Sequence, residues 1–337
     1  PLHCFRDLSE LFPTMSYAVQ SNTTVVVQYQ ELLESVFFLM LSALPSCVCL
    51  FINGTMLFVL RSKPVFRETS RYILLYNLLL ADTVLLAQSQ LLYILAACRI
   101  RLTYPVCGVL TMISSLTNNI SPLTLVMMCL ERYVAVCYPL RHTSIITIRN
   151  TEMTITVVWA FSSLHVLAHV VLLLQFSFRD LQSLQMTNSC DRQSMLLHPL
   201  SDVYDKVFTY LVFLSAGVTV TFSYIAVVVA ARSVSANKDS ARKARNTLLL
   251  HVVQLGLSLS STIHNPLLIA ISKVLDRIVI VRIQIVFYVF IIIFPRCLSA
   301  LIYGIRDQTI RPVLMYSLCC QWRRSALLSV VPAKGKI

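Results

Sequence analysis

Residues 128–142 read MCLERYVAVCYPLRH. The stretch just before the charges, 108–130, contains no Asp, Glu, Lys or Arg. It is long enough to cross hydrocarbon, which takes about 20 apolar residues in a helix. It then runs into Glu131-Arg132-Tyr133. An unpaired guanidinium at the edge of hydrocarbon is costly, and the neighbouring carboxylate of Glu131 neutralises it. Such a pair is a latch, stable when closed and opened by a competing partner. The plainer reading is an ordinary arginine snorkelling from a helix end.

The rest of the chain says what the latch faces. Of 337 residues 57% are apolar and only 13% charged, with mean hydropathy +0.74. A soluble domain carries about 25% charge, so the composition is that of a membrane protein. Seven stretches are long and apolar enough to span: 36–60, 72–97, 108–130, 153–174, 207–231, 247–271 and 283–303. The expected fold is all-α, a seven-transmembrane helix bundle. Residues 1–35 form an N-terminal segment, 36–303 the bundle, and 304–337 a short amphipathic membrane-surface helix and tail. The chain begins at Pro1 rather than Met, and we expect an incomplete N-terminus. Residues 1–33 show no cleavable signal peptide.

Net charge is +13. The basic residues cluster in short segments between apolar runs, so they report orientation and imply no nucleic-acid partner. Segments 61–71, 132–149, 232–245 and 306–336 carry 18 Lys and Arg, against 9 on the opposite side. That bias places the N-terminus outside and the C-terminus in the cytoplasm of a multi-pass plasma-membrane protein. Of three Asn-x-Ser/Thr sequons, Asn53 and Asn119 lie inside spans. Asn22 lies on the outer side, where glycosylation occurs. Cys319-Cys320 follow the last span on the inner side and suit palmitoylation. Eleven cysteines without CxxC pairs argue against a zinc framework. Cys107 and Cys190 both lie outside, where they can tie the third span to the loop 175–206. Cys4 and Cys98 lie on that side too and compete for the pairing.

The pattern resembles the rhodopsin-like (class A) G-protein-coupled receptors. Carrying it are Asn53, LLLAD ending at Asp82, Cys107, ERY at 131–133, Trp159, Tyr224 in SYIAVVV and Tyr303 in SALIY. MCLERYVAVCYPLRH, KARNTLLLH and PRCLSALIYGIRD look most like the odorant receptors, fish-type in particular. The resemblance implies a small, mostly neutral, odorant-like ligand and a heterotrimeric G protein of the olfactory stimulatory type. It implies that Glu131, Arg132, Tyr133, Tyr224 and Tyr303, with the basic Arg242, Lys243 and Arg245, form the G-protein face. The family's Asn-Pro-x-x-Tyr motif here reads Ser299 to Tyr303, Ala216 stands where many members have Pro, and His264 precedes Pro266 where others have Trp. Arg296 is placed by the class pattern near Asp82 and Ser121, where many members hold sodium. The expectation is a bidentate Arg296–Asp82 pair in place of the ion, within a polar core that includes Asn53.

Ligand candidates on the inward faces are Ser114, Ser115, Asn118, Asn119, Phe208, Thr209, His264, Leu267, Phe287 and Ile292. Interhelical hydrogen bonding is the plainer role for each Ser and Asn. Ser114 stands where amine receptors carry Asp, so no salt bridge to a protonated amine is offered. His165 and His169 have metal-ligand spacing, but two ligands are too few, and packing is the expected role. After Tyr303, Ile310, Val313, Leu314 and Leu318 form an apolar stripe for the membrane surface, in a helix starting near Thr309. No nucleophile stands with a placed base, no Gly-rich phosphate loop occurs, and no cofactor is implied, so catalysis is not expected. The rivals are a class A receptor for a lipid or peptide outside olfaction, and a transporter or channel. A transporter would want repeated halves, which the sequence lacks.

Overall fold

The computed structural model describes residues 22–98, 100–174, 199–233, 286–307 and 309–316, with Cys190, Met195 and short pieces between 245 and 283. Five long helices follow in order: α1 (Asn22–Ser62), α2 (Ser70–Ala97), α3 (Tyr104–Cys137), α4 (Ile148–Leu174) and α5 (Pro199–Ser233). Each is long and apolar enough to cross a membrane. A final span carries a π-helical turn, Tyr288–Ile293, and continues as the α-helix Phe294–Arg306. Most of the sixth expected span, 247–271, lies outside the described residues. Helices are what hydrocarbon permits, because every backbone N–H and C=O must be satisfied within the segment.

The helix faces sort by steps of three and four. α1 buries Ser42, Ser46, Cys49, Asn53 and Met56, and turns Leu44, Val48, Phe51 and Phe58 outward. The polar groups face in and the large apolar groups face out, the reverse of a soluble helix. Lipid tails are as apolar as leucine, so no hydrophobic gain drives these helices together. Close packing and interhelical hydrogen bonds do so instead.

α3 is the central helix and packs on α2, α4 and α5. The most apolar part of α2 and of α3 is 44% buried, against 17% for α4. α4 is therefore peripheral, with Met153, Val157, Leu164 and Leu167 on its open face. α3 ends at Cys137 because Pro139 bars Tyr138 from the helical region, and Tyr138 sits at φ −130° and ψ 57°. Glu131-Arg132-Tyr133 thus lie within the helix, not at its end as the sequence suggested.

The largest core cluster lies toward the Arg132 end. Met56, Leu75, Leu78, Leu79, Leu125, Met128 and Tyr303 meet there, joined by Ile310 and Leu314 from beyond the last span. Residues 310–316 form a short helix. Asp307 caps it: its Oδ1 accepts the backbone N–H of Thr309 at 2.9 Å and of Ile310 at 3.2 Å. The helix starts near Thr309, as expected, and Pro312 falls in the first turn. The direction of the apolar stripe differs from expectation. Ile310 is fully buried and Leu314 nearly so, against the bundle, while Met315 and Tyr316 are exposed. Gly304 leaves room for this seat, since a Cβ there would stand 2.7 Å from Leu314 Cδ2 and the leucine would have to shift. Leu318 lies outside the described residues.

Candidate functional site

A polar core lies at mid-bundle. Asp82 on α2 and Arg296 on the final span are both buried, with Nη1 3.0 Å from Oδ1. Ser121 on α3 donates to the same Asp82 oxygen at 2.9 Å. The second guanidinium nitrogen, Nη2, donates to Asn118 Oδ1 at 2.8 Å. Asn53 on α1 donates its amide to the Arg296 carbonyl at 3.1 Å. The pair is therefore single-point, not the bidentate fork expected. Asn118 stands one turn from Ser121 on α3 and takes the other arm of the fork. Four spans converge on one buried ion pair, and removing one partner would strand the other charge. A second link joins α2, α3 and α4: Trp159 Nε1 donates to Asn77 Oδ1 at 2.8 Å, and Asn77 donates to Thr124 at 2.9 Å.

Toward one end of the bundle, Arg132 Nε lies 3.0 Å from Glu131 Oε2, with side chains 18% and 9% exposed. His142, in the turn after α3, brings Nε2 to 3.7 Å from Glu131 Oε1, beyond hydrogen-bond length. Arg132 Nη2 is buried with no hydrogen bond among the described residues. Beside this pair stands a second one. Arg71 Nη2 meets Asp307 Oδ2 at 3.1 Å, and the Arg71 guanidinium lies 5.2 Å from the ring centre of Tyr303. Tyr72 also donates to Asp307, at 3.3 Å. The Asp307 carboxylate thus pairs a cation and caps a helix at once.

At the opposite end a disulfide joins Cys107 to Cys190, with Cα atoms 5.7 Å apart. Met195 lies close on α3: a Cβ at Gly108 would sit 3.3 Å from its Cε. Under it is a cavity lined by Thr111, Met112, Ser115, His169, Leu173, Met195 and Ser201. Its free space of about 40 Å³ holds a few waters. Among the described residues no Asp, Glu, Lys or Arg lines it. The walls offer hydroxyls, thioethers and one imidazole, which suit a neutral guest better than a charged one.

The sequence profile of the 7 transmembrane receptor (rhodopsin family) matches residues 52–327. Odorant receptor 131-2 of Danio rerio is 32% identical over 274 residues, 81% of this chain and 83% of that protein. Olfactory receptor 2A1/2A42 of Homo sapiens is 30% identical over 203 residues, 58% of this chain and 62% of that protein. Olfactory receptor 2A12 of Homo sapiens is 27% identical over 212 residues, 61% and 64% of the two chains. The chain belongs to the rhodopsin family of seven-transmembrane receptors. It is a multi-pass membrane protein and a signalling receptor, not an enzyme.

Within the receptor the expected ligand residues scatter. Ser115 lines the cavity. Asn118 is taken up by Arg296. Ser114 is half-buried, and Asn119 and Thr209 are buried. Phe208 stacks on His165 with ring centres 3.8 Å apart, between α4 and α5. Phe287 and Ile292 are half-buried on the final span. His264, Leu267, Arg242, Lys243, Cys319 and Cys320 lie outside the described residues. So does Cys4, and Cys98 forms no disulfide among the described residues. Asn22 is the first residue of α1.

At the other end of the receptor, Tyr133 packs near Phe222 of α5 at 6.0 Å and Tyr138 at 5.8 Å. Tyr224 packs beside Cys129, Ala216 and Val227. Arg245 is exposed. Sequence reasoning missed Asn77, Arg71, Asp307 and His142. The buried amide of Asn77 inside a span was a legible signal. The other three lie at span ends, where charge is ordinary.

Proposed function

We propose that this chain is an odorant receptor of the plasma membrane, with its N-terminus outside and its C-terminus in the cytoplasm. A small, mostly neutral molecule binds at the disulfide end. A heterotrimeric G protein, of the olfactory stimulatory type, binds at the Arg132 end. The observation that carries the reading is the similarity to Odorant receptor 131-2 over 81% of the chain. The two-to-one bias of basic residues supports the sidedness.

The latch supplies the coupling step. Glu131 holds Arg132 closed, and a helix of the G protein entering the groove competes for that guanidinium. Tyr133, Tyr224, Tyr303, Arg242, Lys243 and Arg245 border the groove. Asp82, Ser121, Asn118 and Arg296 act as the pivot, with the guanidinium standing in for sodium. Glycosylation at Asn22 and palmitoylation at Cys319 and Cys320 fit the same sidedness.

The test is cyclic-AMP output from cells expressing the chain against a panel of volatile and water-soluble small molecules, with Arg132→Ala alongside. A ligand-dependent rise that Arg132→Ala abolishes at equal surface expression is the expected result. Silence across a broad panel, with surface expression verified, would move the reading to another ligand class or another G protein.

A further inference from the structure

Behind the cavity, between α4 and α5, lies a cluster of which the receptor reading uses only His169, at the cavity wall. His165 and His169 stand four apart on α4, and Asp205 faces them from α5. His169 Nε2 is 3.0 Å from Asp205 Oδ1, and His165 Nε2 is 3.7 Å from the same oxygen. One ligand atom from each residue fits within a 4.8 Å span. The side chains of His165, His169 and Asp205 are 0%, 14% and 13% exposed.

We propose that His165, His169 and Asp205 form a binding site for a divalent transition metal of the Zn²⁺ class, clamping α4 to α5. Zinc binds imidazole nitrogen and carboxylate oxygen at about 2.0–2.1 Å in a tetrahedron, which sets ligand atoms about 3.3 Å apart. The two histidine–carboxylate separations, 3.0 and 3.7 Å, straddle that value, and all three ligand atoms lie within 4.8 Å of one another, so the side chains close in on the ion as it binds. Three protein ligands leave a fourth position for water, and His169 places the site at the cavity wall. Two imidazoles with one carboxylate select against Mg²⁺ and Ca²⁺, which want oxygen alone, and against Cu⁺, which wants sulfur.

The surroundings hold the first imidazole in a ligating pose. His165 Nδ1 lies 3.3 Å from the Tyr204 hydroxyl, which orients Nε2 toward Asp205. Phe208 stacks on the His165 ring at an interplanar angle of 13°. The two histidine rings stand perpendicular, with centres 4.7 Å apart, so their edges converge rather than stack. α4 otherwise buries little against its neighbours, and a metal bridge would give this loosely held helix a fixed point on α5. The neighbouring pair Asp202–Lys206 is exposed and does not join the cluster.

The test uses the full chain without a polyhistidine tag, in lipid nanodiscs, stripped of metal and titrated with ZnCl₂ against a chromophoric chelator. One Zn²⁺ per chain is expected, with affinity reduced at least tenfold in both His169→Asn and Asp205→Asn and unchanged in Asp202→Asn. Binding that survives both substitutions, or that is absent from the folded wild type, overturns the site. Should the two variants fail to fold, CoCl₂ added to the wild type decides. The intense visible absorption of four-coordinate Co²⁺ supports the site, and a weak octahedral spectrum, or none, overturns it.

Discussion

Arg296 is accommodated at the middle of the bundle because three other spans converge on it. The carboxylate of Asp82, the amide oxygen of Asn118 and the amide of Asn53 meet its guanidinium or its carbonyl. The relative worth of these contacts differs. Breaking a buried ion pair from one side costs about 3–5 kcal/mol, because the other charge is left stranded. A hydrogen bond to a charged group is worth about 1.5–3 kcal/mol. Arg296→Ala should therefore lower unfolding stability by about 3–5 kcal/mol, measured in nanodiscs with a denaturing detergent. Ser121→Ala, which removes one hydrogen bond to the Asp82 carboxylate, should cost about 1.5–3 kcal/mol. The double variant Asp82→Asn/Arg296→Gln should recover part of the loss, since no bare charge remains. Equal losses for Ser121→Ala and Arg296→Ala would mean that charge is not what matters there. That Asp82 and Arg296 belong together was legible, because charges within apolar runs stand out. The role of Asn118 was not legible. A neutral amide one turn from Ser121 can face ligand or arginine, and only the set of the helix on its axis decides.

At the scale of elements, the bundle's helices follow from apolar runs that hydrocarbon leaves no other way to fold. The short helix 310–316 depends on finer matters. Its start needs the Asp307 cap, and its seat needs the missing side chain at Gly304. The stripe of Ile310, Val313 and Leu314 could be read from the sequence. Its direction could not, because lipid and bundle core are equally apolar and the choice rests on how closely Leu314 packs beside Gly304. Asp307→Ala should remove the cap and the Arg71 partner together, at a cost near 1–2 kcal/mol for the cap. Because the helix lies at the margin, the loss should be local. Hydrogen exchange in 309–316 should speed up while α2 and α3 stay protected. Gly304→Leu should give the same local pattern by steric displacement of Leu314. If either substitution loosened α2 and α3 as well, the short helix would be part of the central cooperative unit instead.

For the whole molecule, α3 runs from the disulfide end to the latch end, carrying Cys107 near its start and Arg132 near its finish. Cys107 and Cys190 are 83 residues apart in sequence. In a soluble chain the loop-closure entropy for that separation is about 4.5 kcal/mol. The membrane alters the arithmetic. α3 and α4 both lie within those 83 residues, and inserted helices already bring the end of α4 back toward the face where α3 begins. What the disulfide still has to close is the stretch after α4, a loop on the order of 15 residues, for which the same relation gives about 3 kcal/mol. Cys190→Ser should therefore lower stability in nanodiscs by about 3 kcal/mol or less. The first casualty should be the cavity wall at Met195 and Ser201, with the Glu131–Arg132 end unchanged. Unfolding measured with and without reductant, beside hydrogen exchange at both ends of α3, separates the cases. A loss of about 4.5 kcal/mol or more would mean that α3 and α4 are not held as independent inserted helices once the bundle opens. A loss of protection at Arg132 would mean that α3 transmits strain over its full length, which is the property a receptor needs between its ligand and its G protein.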